Sequence, residues 1–461
     1  MASSLVTLTM QKARFIFCLL TAGFCLAAGA ADTNSLVWHK PADRVDANVH
    51  GEPLWPLLQD IARQTGWRIF VEPDTTHAAS AKFKDLPAGD ALRMLLGDLN
   101  YAVVPQTNAP PQLYVFRTVM KNATQRVLAP RAPAKRVPNE LMVKAKPGTD
   151  MDALAKMIGA KVIGRNEKLG LYRLSFADAD STDSALATLR NDSDVLAVDY
   201  NYVFDPPDTA QLLANAPGGP PALTLDPTTD SSDPCNATIG LIDTPLLPSG
   251  TPADQLVTKK ISVAGDASPD PSVPTHSTAM LQNIAQALSQ IDHGHTSARV
   301  VDVDVYGSNP TTTSWDVALG VQAAVNNGAN VLNMSLGSGG DSSVLDAVVK
   351  QVISDGVMVF AAAGNDPGDS LTYPAADPGV NAVTATQNGQ IAPYADSGSF
   401  VSLALPGANV MYYNNQAYVF QGTSVSTALA TGLAAGTRAA ACDPWSQIQT
   451  TMDQQFPVPK N

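Results

Sequence analysis

Two leucine stripes and a series of short apolar runs set out the chain. Leu54, Leu57, Leu58 and Ile61 recur at the i, i+3, i+4, i+7 spacing of a helix with one buried face, and Leu92, Leu95, Leu96 and Leu99 repeat it. Residues 68–72, 101–104 and 113–116 read as short strands, so 45–118 is expected to form a compact α+β unit. No cluster of catalytic side chains falls inside it. Between 138 and 204 the pattern changes to strand, helix, strand, strand, helix, strand. The strands fall at 140–145, 161–164, 171–176 and 195–202. One helix carries Met151, Leu154, Ala155 and Ile158, the other Ala185, Leu186 and Leu189. That order predicts a ferredoxin-like sandwich. From 235 onward, continuous apolar runs alternate with helical stretches, which predicts a doubly wound, mostly parallel α/β sheet. The expected fold class is therefore α/β, preceded by two small α+β domains.

Segments without periodicity separate these units. Residues 119–137 are rich in Ala, Pro, Lys and Arg and read as a linker. Residues 205–234 hold seven prolines and a Gly-Gly pair. They read as an exposed linker, where proteolysis concentrates, and are the expected processing region. At the start, Lys12 and Arg14 precede an apolar run over 15–28, and Ala28-Gly29-Ala30 fits an A-x-A cleavage site. Residues 1–30 are expected to be a secretory signal peptide, since the run falls short of the ~20 residues needed to span a bilayer. No later stretch is apolar enough to span, so the expected location is periplasmic or secreted.

Charge divides the chain at the same boundary. The net charge is −13 over 461 residues, and nonspecific nucleic-acid binding needs a cationic surface, so no nucleic-acid partner is expected. Residues 235–461 contain 17 Asp, no Glu and 6 Lys or Arg, which sets them apart as a domain. No EF-hand spacing or phosphate loop is present, and His293 and His295 read as solvated loop residues. No metal or cofactor is expected.

The chemistry lies in the last 227 residues. Asp243 and Asn365 follow apolar strands, and ligands in doubly wound sheets bind at the strands' carboxyl ends. His276 begins a helix-compatible run, and Ser424 follows a Gly-Thr turn. A serine hydroxyl needs a base to take its proton, a carboxylate to orient that base, and a donor for the oxyanion. Ser424, His276, Asp243 and Asn365 supply the four parts. Singly each has a plain structural reading as a turn, loop, cap or core residue; together they specify acyl transfer.

These segments resemble the subtilisin-like serine proteases, the subtilases. "LIDT" carries Asp243, "THST" His276, "LNMSLGSGG" the substrate-binding strand, "AAAGN" Asn365, and "GTSVSTALATG" Ser424; "YPA" and "SLALPG" match two further motifs. The resemblance implies a serine endopeptidase acting on a peptide or protein substrate. Substrate would be bound by Ser335, Leu336, Gly337, Ala363, Gly364 and Thr372, with the pocket for the residue before the scissile bond lined by Leu336–Gly340, Ala361–Gly364 and Thr372. None is charged, so an apolar or medium-sized side chain is expected there. The sequence departs from the family pattern at Ser277, Ala279, Pro245 and Ala428, and calcium-site patterns are not visible. A non-catalytic binding or signalling protein on the same scaffold is the alternative.

Two further resemblances extend upstream. "PNELMVKAKPG", "GAKVIGRNEKLGLYRLSF" and "VLAVDYNYVF" resemble subtilase propeptides, which implies that 138–204 is a chaperone and inhibitor of the domain that follows. Residues 45–118 resemble the short N-terminal domain of secretins and TonB-dependent transducers, which implies a periplasmic or outer-membrane protein partner.

Removal of 1–30 leaves Cys235 and Cys442, and an even pair in an exported chain points to a disulfide. Cys235 lies eight residues before Asp243 along a strand, about 26 Å from the active edge at ~3.3 Å per residue. Cys442 lies eighteen residues after Ser424 along a helix, about 27 Å from that edge at ~1.5 Å per residue. The equal depth fits a bond joining the first strand of the domain to its late helix.

Overall fold

A computed structural model describes residues 34–106, 109–127, 133–213, 223–228, 235–367 and 370–459. The expected signal peptide lies outside the described residues. Among the described residues no helix is long and apolar enough to cross a membrane.

The two leucine stripes fall on helices Leu54–Thr65 and Ala88–Leu96, except that Leu99 lies beyond the second, whose C-cap is Gly97; Leu57, Leu58, Ile61, Leu92, Leu95 and Leu96 are buried. The body around them exceeds the 45–118 expected from sequence. Strands Ser35–His39, Arg44–Pro53 and Ala78–Pro87 make an antiparallel sheet. A second sheet orders Asn100–Gln106, Ala109–Phe116, Arg68–Val71 and Gln125–Val127. The last of these strands falls inside the stretch read as a linker. Ile69 pairs with Val127, and burial of Val127 in the same core draws that segment into the sheet.

The next unit has the order strand, helix, strand, strand, helix, strand. Its sheet runs Val195–Phe204, Arg136–Ala145, Leu171–Ser175, Lys161–Asn166, with every pairing antiparallel. Asp150 and Asp178 start its helices, their side chains accepting from Ala153 N and Ser181 N. Leu141, Val143, Leu174, Leu186 and Leu189 fill the space between sheet and helices.

The Val195–Phe204 strand also reaches the C-terminal domain. Val203 and Phe204 pair with Thr313 and Thr312. Asn201 Oδ1 accepts Trp315 N at 3.1 Å, and Asp199 Oδ2 accepts Ser343 N at 3.2 Å. These two N–H groups belong to the first turns of helices Ser314–Asn326 and Ser343–Ser354, so the preceding unit adds two acceptors to helix ends that Thr313 and Ser342 already cap. The stretch 205–234 is not wholly unstructured. Gln211–Leu212 pairs with Tyr418 and Val419, and Asp226–Pro227 pairs in parallel with His295–Thr296.

The C-terminal sheet orders Val257–Ser262, Arg299–Asp304, Thr238–Asp243, Val331–Met334, Met358–Ala362 and Asn381–Gln387, all parallel. Helices Ser314–Asn326 and Ser343–Ser354 cover one face, burying Trp315, Val317, Val344 and Val348. Helices His276–Ser289 and Thr423–Ala441 cover the other. The small-residue composition of Thr423–Ala441 sets how closely those two pack: a Cβ on Gly432 would lie 2.7 Å from Ala287 Cβ and 2.7 Å from Ile284 O. This close approach fixes the helix that begins at His276 against the helix that carries Ser424. At the far end, Cys235 and Cys442 form a disulfide with Cα atoms 4.7 Å apart.

Candidate active site

Strand order reverses around Thr238–Asp243, where the first strand of the sheet lies between Arg299–Asp304 and Val331–Met334. A crevice opens at the carboxyl ends of strands at such a point. Asp243 ends its strand there and is 2% exposed. His276 Nδ1 lies 2.8 Å from Asp243 Oδ1 and 2.9 Å from Oδ2. The carboxylate also accepts Thr244 N at 2.7 Å. A buried carboxylate facing Nδ1 leaves Nε2 as the nitrogen that can receive a proton. His276 is the first residue of its helix, which starts where the Thr275 side chain accepts Thr278 N.

The residue after His276 has a partner that the sequence reading missed. Ser277 Oγ donates to Asp302 Oδ1 at 2.9 Å, and both residues are buried. Burial is the main cause that pushes the Asp302 carboxyl up to about 8; the charge of Asp243 adds to the shift, and the bond from Ser277 opposes it. Asp302 sits on the strand beside Asp243's own. Its signal in the sequence is an acid inside a buried-type apolar run, Val300 to Val305.

Ser424 is the second residue of helix Thr423–Ala441, preceded by Gly422 at φ +152°. A Cβ on Gly422 would lie 2.8 Å from Asn365 Nδ2, so this turn requires glycine. Ser424 Oγ donates to Ser335 O at 3.2 Å, and Ser335 Oγ donates to Ser424 O at 3.1 Å. Among the described residues no hydrogen bond joins Ser424 to His276. Catalytic hydrogen bonds are often long or misaligned before substrate arrives. Ser335 is held in turn by Asn333 Nδ2 at 3.0 Å, and Asn333 Oδ1 accepts Thr431 Oγ1 at 3.1 Å. This buried relay ties the helix that carries Ser424 to strand Val331–Met334.

Asn365 lies across from Ser424. Its Oδ1 accepts Thr423 N at 2.9 Å and Thr423 Oγ1 at 3.1 Å, while its Nδ2 donates to Asp208 Oδ2 at 2.7 Å. Ser335, Leu336, Gly337, Gly364, Asn365, Thr372, Thr423 and Ser424 line one cleft of about 740 Å³. Ala363 is buried behind it, donating its N–H to Val383 O at 3.0 Å. The cleft has three further contributors. The stretch from Asp205 to Asp208 crosses it, Trp67, Arg68 and Arg126 of the N-terminal body border it, and buried Asp396 lines it. Neither the N-terminal wall nor Asp396 was expected from the sequence. Among the described residues no group of His, Cys, Asp and Glu could hold a metal.

Comparison with known proteins identifies the C-terminal domain. Residues 236–454 match the Subtilase family, and 122–201 match the fervidolysin N-terminal prodomain. Residues 236–454 are a subtilase domain. The chain is 37% identical over 142 residues to the thermostable alkaline protease of Halalkalibacterium halodurans, a stretch covering 30% of this chain and 39% of that protein. It is 37% identical over 142 residues to subtilisin Savinase of Lederbergia lenta, covering 30% of this chain and 53% of that one. The chain thus spans less than two thirds of the length of these relatives. In fold it is similar to fervidolysin from Fervidobacterium pennivorans, described as a keratinolytic enzyme related to subtilisin. That likeness has a TM-score of 0.51 at 16% identity, covering 70% of this chain and 57% of fervidolysin. The disulfide lies within the subtilase domain except for Cys235, one residue before it.

Proposed function

We propose that the protein is an exported serine endopeptidase made as a self-inhibited precursor. Ser424 is the nucleophile, His276 its general base, Asp243 the carboxylate that orients His276, and Asn365 the oxyanion donor. The observation that carries this reading is the buried contact of His276 Nδ1 with both oxygens of Asp243, in a domain whose Ser424 and Asn365 line one cleft. Nε2 takes the Ser424 proton as the hydroxyl attacks a peptide carbonyl. Asn365 Nδ2 stabilises the charge that develops on the carbonyl oxygen, and protonated His276 returns the proton to the leaving amine. Water then hydrolyses the acyl-enzyme by the same relay.

The segment ahead of the subtilase domain acts on this reading as inhibitor and folding guide. It supplies helix-capping acceptors from Asp199 and Asn201, and Asp208 occupies the oxyanion donor. The N-terminal body is proposed to contact an envelope protein in the periplasm, in keeping with its resemblance to secretin and TonB-type domains. Labelling with an active-site serine phosphonate tests the catalytic assignment. Covalent label on the wild-type chain and none on Ser424→Ala is expected; peptidase activity undiminished in Ser424→Ala would sink it.

One observation favours a second reading, a non-catalytic scaffold: Ser424 Oγ is directed at Ser335 O rather than at His276. A protein that never labels, in precursor or processed form, would support that reading.

A further inference from the structure

The residues expected to line the pocket before the scissile bond are uncharged, yet a buried acid stands behind them. Asp396 is 1% exposed and lines the same cleft as Ser424. Its backbone N–H donates to Gly364 O at 3.0 Å, which fixes it against the wall of the pocket. A Cβ on Gly364 would lie 2.3 Å from Asp396 Oδ2 and 2.9 Å from Thr372 Oγ1. On the opposite wall, a Cβ on Gly337 would lie 2.4 Å from Thr372 Cγ2. The carboxylate, the Thr372 hydroxyl and two bare glycine positions therefore converge at one place. Gly364 has φ +115°, which favours glycine, and that leaves no side chain between Asp396 and the pocket.

We propose that Asp396 determines specificity by receiving a Lys or Arg side chain as the residue before the scissile bond. This rests on the endopeptidase reading above. The cleft carries exposed charges of both signs, including Arg63, Lys135, Asp205 and Asp366, but these are screened by water and salt. Asp396 is buried, so an ion pair formed against it would be screened far less. An ammonium or guanidinium entering the pocket exchanges water for the carboxylate and the Thr372 hydroxyl, both able to accept from it.

The reading has a consequence for maturation. Residues 205–234, the expected processing region, contain no Lys or Arg. The stretch that crosses the cleft is then a poor substrate for its own protease and is suited to remain as an inhibitor. Lys121, Arg126, Arg131, Lys135 and Arg136, upstream, offer the side chains this pocket would accept.

The test compares matched fluorogenic peptides that differ only in Lys or Leu before the scissile bond, assayed on the full chain and on Asp396→Asn. Lys should be favoured in kcat/KM on the order of 100-fold, and the ratio should collapse toward parity in the variant. A preference for Leu in the wild type, or an unchanged ratio in Asp396→Asn, overturns the proposal. A second measurement needs no catalysis: fluorescence titration of p-aminobenzamidine into the full-length Ser424→Ala protein. Saturable binding that Asp396→Glu retains and Asp396→Asn loses is expected. If neither precursor nor processed protein cuts either peptide while that binding pattern holds, the endopeptidase reading fails and the cation pocket stands. Absence of saturable binding overturns the pocket.

Discussion

Asp208 Oδ2 accepts a hydrogen bond of 2.7 Å from Asn365 Nδ2, the group assigned to stabilise the oxyanion. The chain thus places a carboxylate of its own where substrate charge would develop. The contact is intramolecular, so it needs no high concentration of free inhibitor. Asp208→Ala should raise the rate of phosphonate labelling of the precursor by about 2- to 5-fold, the modest effect expected of an exposed charge contact. Labelling rates measured on precursor of either sequence decide it, and equal rates would show that Asp208 does not restrain the site.

Asp302 predicts how stability depends on pH. Its carboxyl is raised in the folded chain to about 8 from an ordinary value of 3.8, chiefly by burial, while Ser277 and Lys260 oppose the shift and Asp243 and Asp304 reinforce it. A raised acid binds its proton more tightly in the folded than in the unfolded state. Its favourable contribution is fully present below pH ~4 and is lost as pH rises through about 8. Asp302→Asn keeps an acceptor for Ser277 and does not ionise. Melting of Ser424→Ala with and without Asp302→Asn, between pH 4 and 9, should show a smaller loss of Tm toward high pH in the double variant. Parallel Tm curves would contradict this.

The disulfide should hold the subtilase domain together from its two ends. It closes a loop of 207 residues in sequence, and the loop-entropy treatment gives about 5 kcal/mol for a closure of that size. Cys442→Ser should therefore lower the guanidinium midpoint of the Ser424→Ala protein, and adding reductant to the parent should reproduce the loss. Two titratable thiols in denatured, unreduced protein would show that the bond is absent.

Most of the site was legible because its parts sit in short runs that local rules decode. Asp243 and Asn365 follow apolar strands, and His276 and Ser424 open helices. Asp396 and Asp302 were not legible, because what matters about them is lateral. Asp302 meets Ser277 only once two strands pair, and Asp396 reaches Gly364 across 32 positions of chain. The N-terminal body shows the same limit. Arg44–Pro53 alternates buried Val45, Ala47 and Val49 with more exposed residues, but Ala47 is too weakly apolar to make the alternation stand out. Val127 falls in a stretch whose sequence reads as a linker, because a three-residue strand leaves no period to detect; its place in the sheet comes from Ile69.

Asn365 makes two kinds of bond, and they can be separated. Its Nδ2 is the proposed oxyanion donor, whereas its Oδ1 accepts Thr423 N at 2.9 Å and so satisfies an orphan donor at the start of the nucleophile helix. Asn365→Ala removes both. Turnover should fall on the order of 100- to 1000-fold from loss of the donor, and stability should fall by about 1 kcal/mol from loss of the acceptor. Asn365→Asp keeps an acceptor for Thr423 N and loses the donor. It should retain most of the stability while losing turnover as severely, since a carboxylate repels the developing oxyanion; it should also loosen the precursor by repelling Asp208. Parallel kcat and unfolding measurements on the two variants separate the roles. Turnover in Asn365→Asp close to that of the wild type would remove Asn365 from the oxyanion assignment.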